Sequence, residues 1–163
     1  MEAVRYSYEN LKRDCADIAA RLRQRGENYA GIVAIAGGGL LPAYMLSKLL
    51  NIKAIRCLCL SSYRDIDNAQ GKLQHFDTAT VILPNNDERW LIVDDIAETF
   101  TTLDYVCKLY PKNTTATLLV KNDKREPDVF ARHVPIGVWV DFAWEVDMKA
   151  ARQTAGTFDP TAK

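Results

Sequence analysis

The 163-residue sequence is short of the side chains that announce a metal centre or a disulfide framework. It has two histidines, His75 and His133, and four cysteines, Cys15, Cys57, Cys59 and Cys107. No two cysteines form a CxxC pair, so a zinc site is not expected. Cys57 and Cys59 lie inside an apolar run, where strand alternation points both thiols to one sheet face. All four are read as reduced, buried core thiols. A surplus of either charge is missing too, because 21 Lys and Arg balance 21 Asp and Glu. A sequence-independent nucleic-acid binder needs a basic surplus, so nucleic acid is not an expected partner. No apolar run reaches roughly 18 residues, which leaves no candidate membrane span. The opening MEAVRYSYENLKRD lacks a signal-peptide apolar core, and a cytoplasmic location is expected. There is no internal repeat, low-complexity tract or linker.

What is present is a globular profile, with 48% hydrophobic and 26% charged residues. One domain over residues 1–150 is expected, with a polar tail at 151–163. Leu11, Cys15, Ile18 and Leu22 recur at the helical period, with Ser7 as N-cap and Gly26 as terminator. GIVAIA (Gly31–Ala36) is an all-apolar run, as in a buried parallel strand. GGGLLPAYMLSKLLN turns the chain and starts a helix, with Pro42 in its first turn. AIRCLCL (Ala54–Leu60) is the next strand, completing a strand–helix–strand unit. The polar segment from Ser61 to Asp77 lacks a helical or strand period and reads as a long functional loop. TATVILP and RWLIV follow as two strands. A helix from about Thr101 to Tyr110 is stopped by Pro111, and TATLLVK (Thr115–Lys121) is another buried strand. KNDKREPD is a charged connection. IGVWVDFAWE is a late strand that runs into a short aromatic tail. This alternation predicts an α/β fold, a mostly parallel twisted sheet flanked by helices.

In such sheets ligands bind beyond the carboxyl ends of the strands. That rim holds Gly37–Gly39, Ser61 onward, Asp94–Thr102 and Lys121. Glycines let backbone N–H groups approach an anion, although they also serve simply to turn the chain. Adjacent carboxylates such as Asp94 and Asp95 can hold Mg²⁺ or sugar hydroxyls; an N-cap or a solvated turn is the plainer role. Hydroxyls and free N–H groups at a helix start suit a phosphate monoester, and ordinary capping uses the same groups. Lys121 can donate to a carbonyl oxygen. Trp139 can stack on a planar base, although a tryptophan in an apolar strand is more often core.

The order of these pieces resembles the type I phosphoribosyltransferases, in particular the small bacterial xanthine–guanine and hypoxanthine branch. The resemblance covers about residues 8–147. Its most specific motif is LIV-Asp94-Asp95-Ile96-Ala97-Glu98-Thr99-Phe100-Thr101-Thr102, similar to an apolar strand, two acids and a D-T-G-x-T loop. GIVAIAGGGLLPAYMLSKLLNI resembles the pyrophosphate-loop unit, usually R-G-G-L-x-P. LCLSSY resembles the start of the flexible loop, and VWVDFAWE the hood over the base.

The resemblance implies transfer of a 5-phosphoribosyl group from phosphoribosyl pyrophosphate to a purine, with Mg²⁺. Asp94 and Asp95 would then hold the ribose hydroxyls and the metal, with Glu145 near a second metal. Glu98 would face the purine N7 and Thr99–Thr102 would cradle the 5-phosphate. Gly37, Gly38 and Gly39 would meet the pyrophosphate, and Ser61, Ser62 and Tyr63 would close over the site. Lys121 would donate to O6, Trp139 would stack on the ring and the Val140 backbone would read the 2-substituent. A 6-oxopurine is favoured over adenine because an ammonium only donates. A homo-oligomer, dimer or tetramer, is also implied.

Three positions depart from the pattern. Gly37 replaces a cation, Glu98 an Asp, and Phe100 a glycine that permits positive φ or close backbone approach. Phe100 therefore predicts either backbone strain or a different loop shape. These departures keep a second reading open, a weak or inactive protein of the same fold that binds a nucleotide or phosphorylated sugar in a regulatory role. A receiver-like domain also gathers acids at strand ends, but it lacks the threonine-rich turn and the hood.

Overall fold

The computed structural model describes residues 3–62, 73–75 and 87–154. Twelve elements occur among them: β1 (Ala3–Tyr6), α1 (Tyr8–Gln24), β2 (Gly31–Ala36), α2 (Leu40–Leu50), β3 (Ile55–Ser62), β4 (Leu73–His75), β5 (Trp90–Ala97), α3 (Thr101–Leu109), β6 (Asn113–Val120), β7 (Val129–His133), β8 (Trp139–Phe142) and α4 (Ala143–Thr154). Six strands form one sheet in the order β4-β3-β2-β5-β6-β7, and β1 pairs with β8 in a second, two-stranded sheet. All pairings are parallel except β3 with β4. The predicted α/β class, a mostly parallel sheet flanked by helices, is what the chain forms.

The alternation of side chains explains why β2 and β5 carry continuous apolar runs. Ile32 and Ala34 of β2, with Leu91 and Val93 of β5, face a core built with Leu11, Ile18 and Leu22 of α1 and Ala43 and Leu46 of α2. Val33, Ile35, Trp90 and Ile92 face the opposite core, filled by Leu103 and Val106 of α3 and by Tyr110. Where these central strands are covered on both faces, apolar side chains fill both sides. The start of α1 is set locally, by the Ser7 Oγ accepting from the Asn10 N–H at 3.2 Å.

Several sequence expectations are corrected. Cys15 is buried, but Cys57 and Cys59 are exposed and Cys107 is half-buried. Cys57 and Cys59 flank the buried Leu58, in keeping with the alternation, yet neither cysteine belongs to either core. The segment after Ser61, which shows no strand period, contributes β4 through backbone pairing with β3. IGVWVDFAWE is strand only over Trp139–Phe142; Gly137 has φ 91°, and Ala143 begins α4 in place of an aromatic tail. That helix continues to Thr154, past residue 150, where the polar tail is expected to begin. Its Trp144 stacks on Phe142 and meets Tyr6 edge-on, which ties the β1–β8 sheet to the α1 side of the core. TATVILP and Tyr63 lie outside the described residues. Among those described, no helix is long and apolar enough to cross a membrane.

Candidate functional site

The carboxyl end of β5 organises the site. The strand runs on through Asp94, Asp95 and Ile96 to Ala97, so the two acids lie within it and not in a turn beyond it. The cause is the ladder to β6, which continues through Ile96↔Leu119 and Ala97↔Val120 and is closed by the Lys121 N–H donating to Ala97 O at 2.8 Å. A strand fixes two neighbouring carboxylates where a loop would let them part. Asp95 is only 9% exposed. Burial, then the adjoining Asp95 charge, pushes the Asp94 carboxyl well above the usual range. Asp95 is pushed up to about 6, chiefly by burial, with Glu145 adding to the effect and hydrogen bonds from Asp94 and the backbone opposing it. Two carboxylates that resist ionisation side by side form a site that a cation would relieve.

The glycine turn after β2 packs onto this pair. A Cβ on Gly38 would lie 1.9 Å from Asp95 Oδ2, and one on Gly39 would lie 2.5 Å from both Ile35 O and Val93 O. Backbone therefore keeps position 39 to glycine, and a side chain at position 38 would displace the Asp95 carboxylate. Gly37 is different, since a Cβ there would meet nothing within 4 Å. The Ala36–Gly37 peptide is cis.

Beyond Ala97 the chain turns through Glu98, Thr99 and Phe100 into α3. Phe100 takes φ 63°, ψ −2°, the left-handed conformation that its place in the loop requires. Of the two expectations for this residue, strain is the one realised: the loop keeps a glycine-like backbone. The ring is 5% exposed and packs in the α3 core. No side chain caps α3, and Thr99 Oγ1 reaches the Thr101 N–H only at 3.5 Å. The first N–H groups of the helix are thus left for an external acceptor. They adjoin a cleft of about 250 Å³ lined by Asp94, Asp95, Glu98, Thr99, Phe100 and Thr102, among others.

Lys121 lies one residue past β6, with its side chain 11% exposed and Nζ 3.1 Å from Glu98 Oε1. The longer Glu98 thus contacts the lysine across the cleft's edge. Trp139 is not core but 53% exposed, its Nε1 donating to Asp141 Oδ1 at 3.0 Å, so a ring face is open for stacking. Val140 is buried next to it. Glu145 is exposed in the first turn of α4 and acts electrostatically on Asp95. Ser61 and Ser62 end β3. The strand ends thus bring the glycine turn, the acid pair and the threonine turn together, with Lys121 at their border.

Among the described residues no three His, Cys, Asp or Glu side chains converge on a metal position. A buried carboxylate beside a half-buried one, with Glu145 in electrostatic reach, nevertheless suits Mg²⁺, which takes one or two carboxylates and leaves its other positions to water and substrate phosphates. Sequence reading treats residues 121–128 as a plain charged connection. In the structure this segment folds back on the threonine turn, with Arg125 lying over the Phe100 ring at 4.5 Å. No local pattern signals that contact. The same segment walls a groove of about 640 Å³, which residues 133–136 close on the other side.

The chain matches the phosphoribosyl transferase domain over residues 6–150. It is 33% identical over 144 residues to the xanthine-guanine phosphoribosyltransferase of Nitratidesulfovibrio vulgaris, covering 88% of this chain and 85% of that one. It is 32% identical over 154 residues to the enzyme of the same name from Desulfotalea psychrophila, with 92% and 91% covered. Its fold superposes on the crystal structure of a purine phosphoribosyltransferase from Pyrococcus horikoshii with a TM-score of 0.75 at 26% identity, over 88% of this chain and 95% of the other. A match of that extent, on a chain whose acid pair, glycine turn and threonine turn meet at the carboxyl ends of the central strands, places the protein in the phosphoribosyl transferase family.

Proposed function

We propose that the protein transfers the 5-phosphoribosyl group of phosphoribosyl pyrophosphate to a 6-oxopurine, releasing pyrophosphate, as an enzyme of purine salvage. The observation that carries this reading is the uncapped start of α3, with its threonines, opening on a cleft that also holds Asp94 and Asp95. A phosphate acceptor and a diol- or metal-binding acid pair, one strand end apart, match the two ends of a ribose 5-phosphate.

The roles follow from position. Thr99–Thr102 take the 5-phosphate on helix N–H groups and hydroxyls. Asp94 and Asp95 accept from the ribose hydroxyls, and together with Glu145 they would hold Mg²⁺. A metal held by these carboxylates would supply charge neutralisation to the departing pyrophosphate. Gly38 and Gly39 let the backbone approach that leaving group, and the open position of Gly37 leaves room beside it. Lys121 donates to the purine O6 while Glu98, already its partner, turns to N7 and accepts the proton lost from the base. Trp139 stacks on the ring and the Val140 backbone faces the 2-substituent. The bond from the anomeric carbon to the pyrophosphate oxygen breaks through an oxocarbenium-like state, and the bond to the base nitrogen forms. Ser61 and Ser62, which end β3, and Tyr63 after them are assigned the exclusion of water from that state. A single domain, a cytoplasmic location and a homo-oligomer complete the proposal.

The test is a direct assay. With Mg²⁺ and phosphoribosyl pyrophosphate, one of guanine, xanthine or hypoxanthine is expected to yield nucleotide and pyrophosphate, and adenine is not. A second reading, nucleotide or sugar-phosphate binding without turnover, is favoured by Gly37, which leaves the pyrophosphate loop without a cation. Saturable nucleotide binding with no product from any base would select it and reject the enzyme.

A further inference from the structure

Two described non-glycine residues have positive φ, Asn51 and Phe100. Asn51 caps the C-terminus of α2, where Asn in the left-handed region is ordinary. Phe100 precedes a helix, and a bulky residue in that region is an outlier that its surroundings must hold in place. Inside, the ring is held by the α3 core. Outside, it is covered by the Arg125 guanidinium, 4.5 Å from the ring centroid.

Arg125 is itself fixed at three points. Its Nη1 donates to Asp104 Oδ2 at 2.9 Å and its Nη2 to Asp104 Oδ1 at 2.6 Å, a bidentate fork onto α3. Its backbone N–H donates to Asn122 Oδ1 at 2.9 Å. Asn122 in turn donates from Nδ2 to Glu98 O at 2.8 Å. The segment that starts at Lys121 thus grips the threonine turn on both sides of Phe100, at Glu98 and at Asp104.

We infer that Arg125 is a positioning residue for the phosphate-binding turn, holding Phe100 in the left-handed conformation that starts α3 with its N–H groups directed at the 5-phosphate. The inference rests on the phosphoribosyl reading above and adds to it a device specific to this chain. Where glycine would adopt this backbone without help, phenylalanine needs a clamp, and Arg125 supplies a planar one. Lysine cannot replace it, because both the stacking and the bidentate fork need the guanidinium plane.

Full-length wild type, Arg125→Ala, Arg125→Lys, Phe100→Leu and the Arg125→Ala/Phe100→Leu double variant would be compared. The readouts are ribose 5-phosphate binding by calorimetry, and kcat and KM for phosphoribosyl pyrophosphate and for the base. Arg125→Ala is expected to weaken ribose 5-phosphate binding and raise KM for phosphoribosyl pyrophosphate roughly three- to tenfold, while KM for the base moves less than about twofold. Arg125→Lys should not restore binding. In the Phe100→Leu background, loss of Arg125 should cost little more, since its action runs through the aromatic ring. Asp104→Asn, at an exposed position, should shift binding in the same direction and serves if Arg125→Ala does not fold. The inference is overturned if Arg125→Ala leaves ribose 5-phosphate binding unchanged, or if its penalty is the same with Leu at position 100. Wild type that binds ribose 5-phosphate without turnover would refute only the enzyme reading, since calorimetry still reads the cycle. Wild type that does not bind it refutes both.

Discussion

Replacing Phe100 by glycine and, separately, by alanine tests the left-handed turn through stability alone. Both changes remove a buried ring from the α3 core, a loss of about 3–5 kcal/mol for Phe→Ala. At roughly 2–4 °C per kcal/mol for a domain of this size, both variants should melt well below wild type. The comparison between the two carries the test. In an ordinary position glycine is less stable than alanine by roughly 0.5–1 kcal/mol, because its unfolded chain is freer. At φ 63° a Cβ is penalised by roughly 1–2 kcal/mol, and glycine escapes that penalty. The order should therefore invert, with Phe100→Gly more stable than Phe100→Ala by about 1 kcal/mol. Urea unfolding with matched m-values, or melting temperatures of the two variants, reads the difference. An alanine variant as stable as the glycine one, or more so, would refute a left-handed Phe100. Affinity for ribose 5-phosphate supplies the functional half. The backbone already has a glycine-like φ, so glycine should not tighten binding, and a gain would show that Phe100 distorts the turn.

Three further outcomes are expected. Asp95→Asn should abolish transferase activity yet raise the melting temperature of the metal-free protein near pH 7. The Asp95 carboxyl is raised from 3.8 to about 6 on folding, so its favourable contribution is complete below pH 3.8 and lost as pH rises through about 6. Wild type should accordingly lose stability as pH rises from 3.8 to about 6, the span between the unfolded and folded values of that carboxyl, the Asn variant should lose less, and Mg²⁺ with phosphoribosyl pyrophosphate should flatten the wild-type curve. Gly38→Ala would push a methyl into the Asp95 carboxylate and should reduce turnover, while Gly37→Ala, with open space around it, should not; equal kinetics for both would discount the contact. Gly37→Arg starts from a position where a Cβ meets nothing within 4 Å. It should tighten pyrophosphate binding by the roughly 1.5–3 kcal/mol of a charge-assisted hydrogen bond, measured as product inhibition, and an unchanged inhibition constant would show that position 37 does not face the leaving group.

The elements legible in the sequence are those whose signals are local. Gly31–Ala36 reads as a buried strand because every residue is apolar, and the structure gives it those bounds. Ser7 reads as a cap because its hydroxyl needs only the next turn of chain. β1, β7 and α4 were not legible. The two strands are four and five residues long, and β1 is defined only by a partner more than 130 residues away. The α4 run begins AWEVD, whose aromatics make it look like the end of a strand until packing with Tyr6 and Phe142 gives them a partner. Cys57 and Cys59 show the converse limit, since alternation predicts that they share a face but not that the face is uncovered.

The site divides the same way. That two acids follow an apolar strand, and that a threonine turn follows them, is in the order of the residues, and that order pointed to the family. The raised pKa values of Asp94 and Asp95 needed the desolvation that a parallel ladder imposes up to Ala97. Phe100 in a glycine's place announced a difficulty in the sequence, and which solution the chain adopts depended on groups remote in sequence. The α3 core on one side of the ring and Arg125, held by Asp104, on the other make a strained backbone the lower-energy choice. Sequence alone determined the chemistry available at the strand ends, because residue type and order set it. Tertiary structure decided how that chemistry is held, because burial, charge coupling and a clamp between distant segments exist only when the chain is folded.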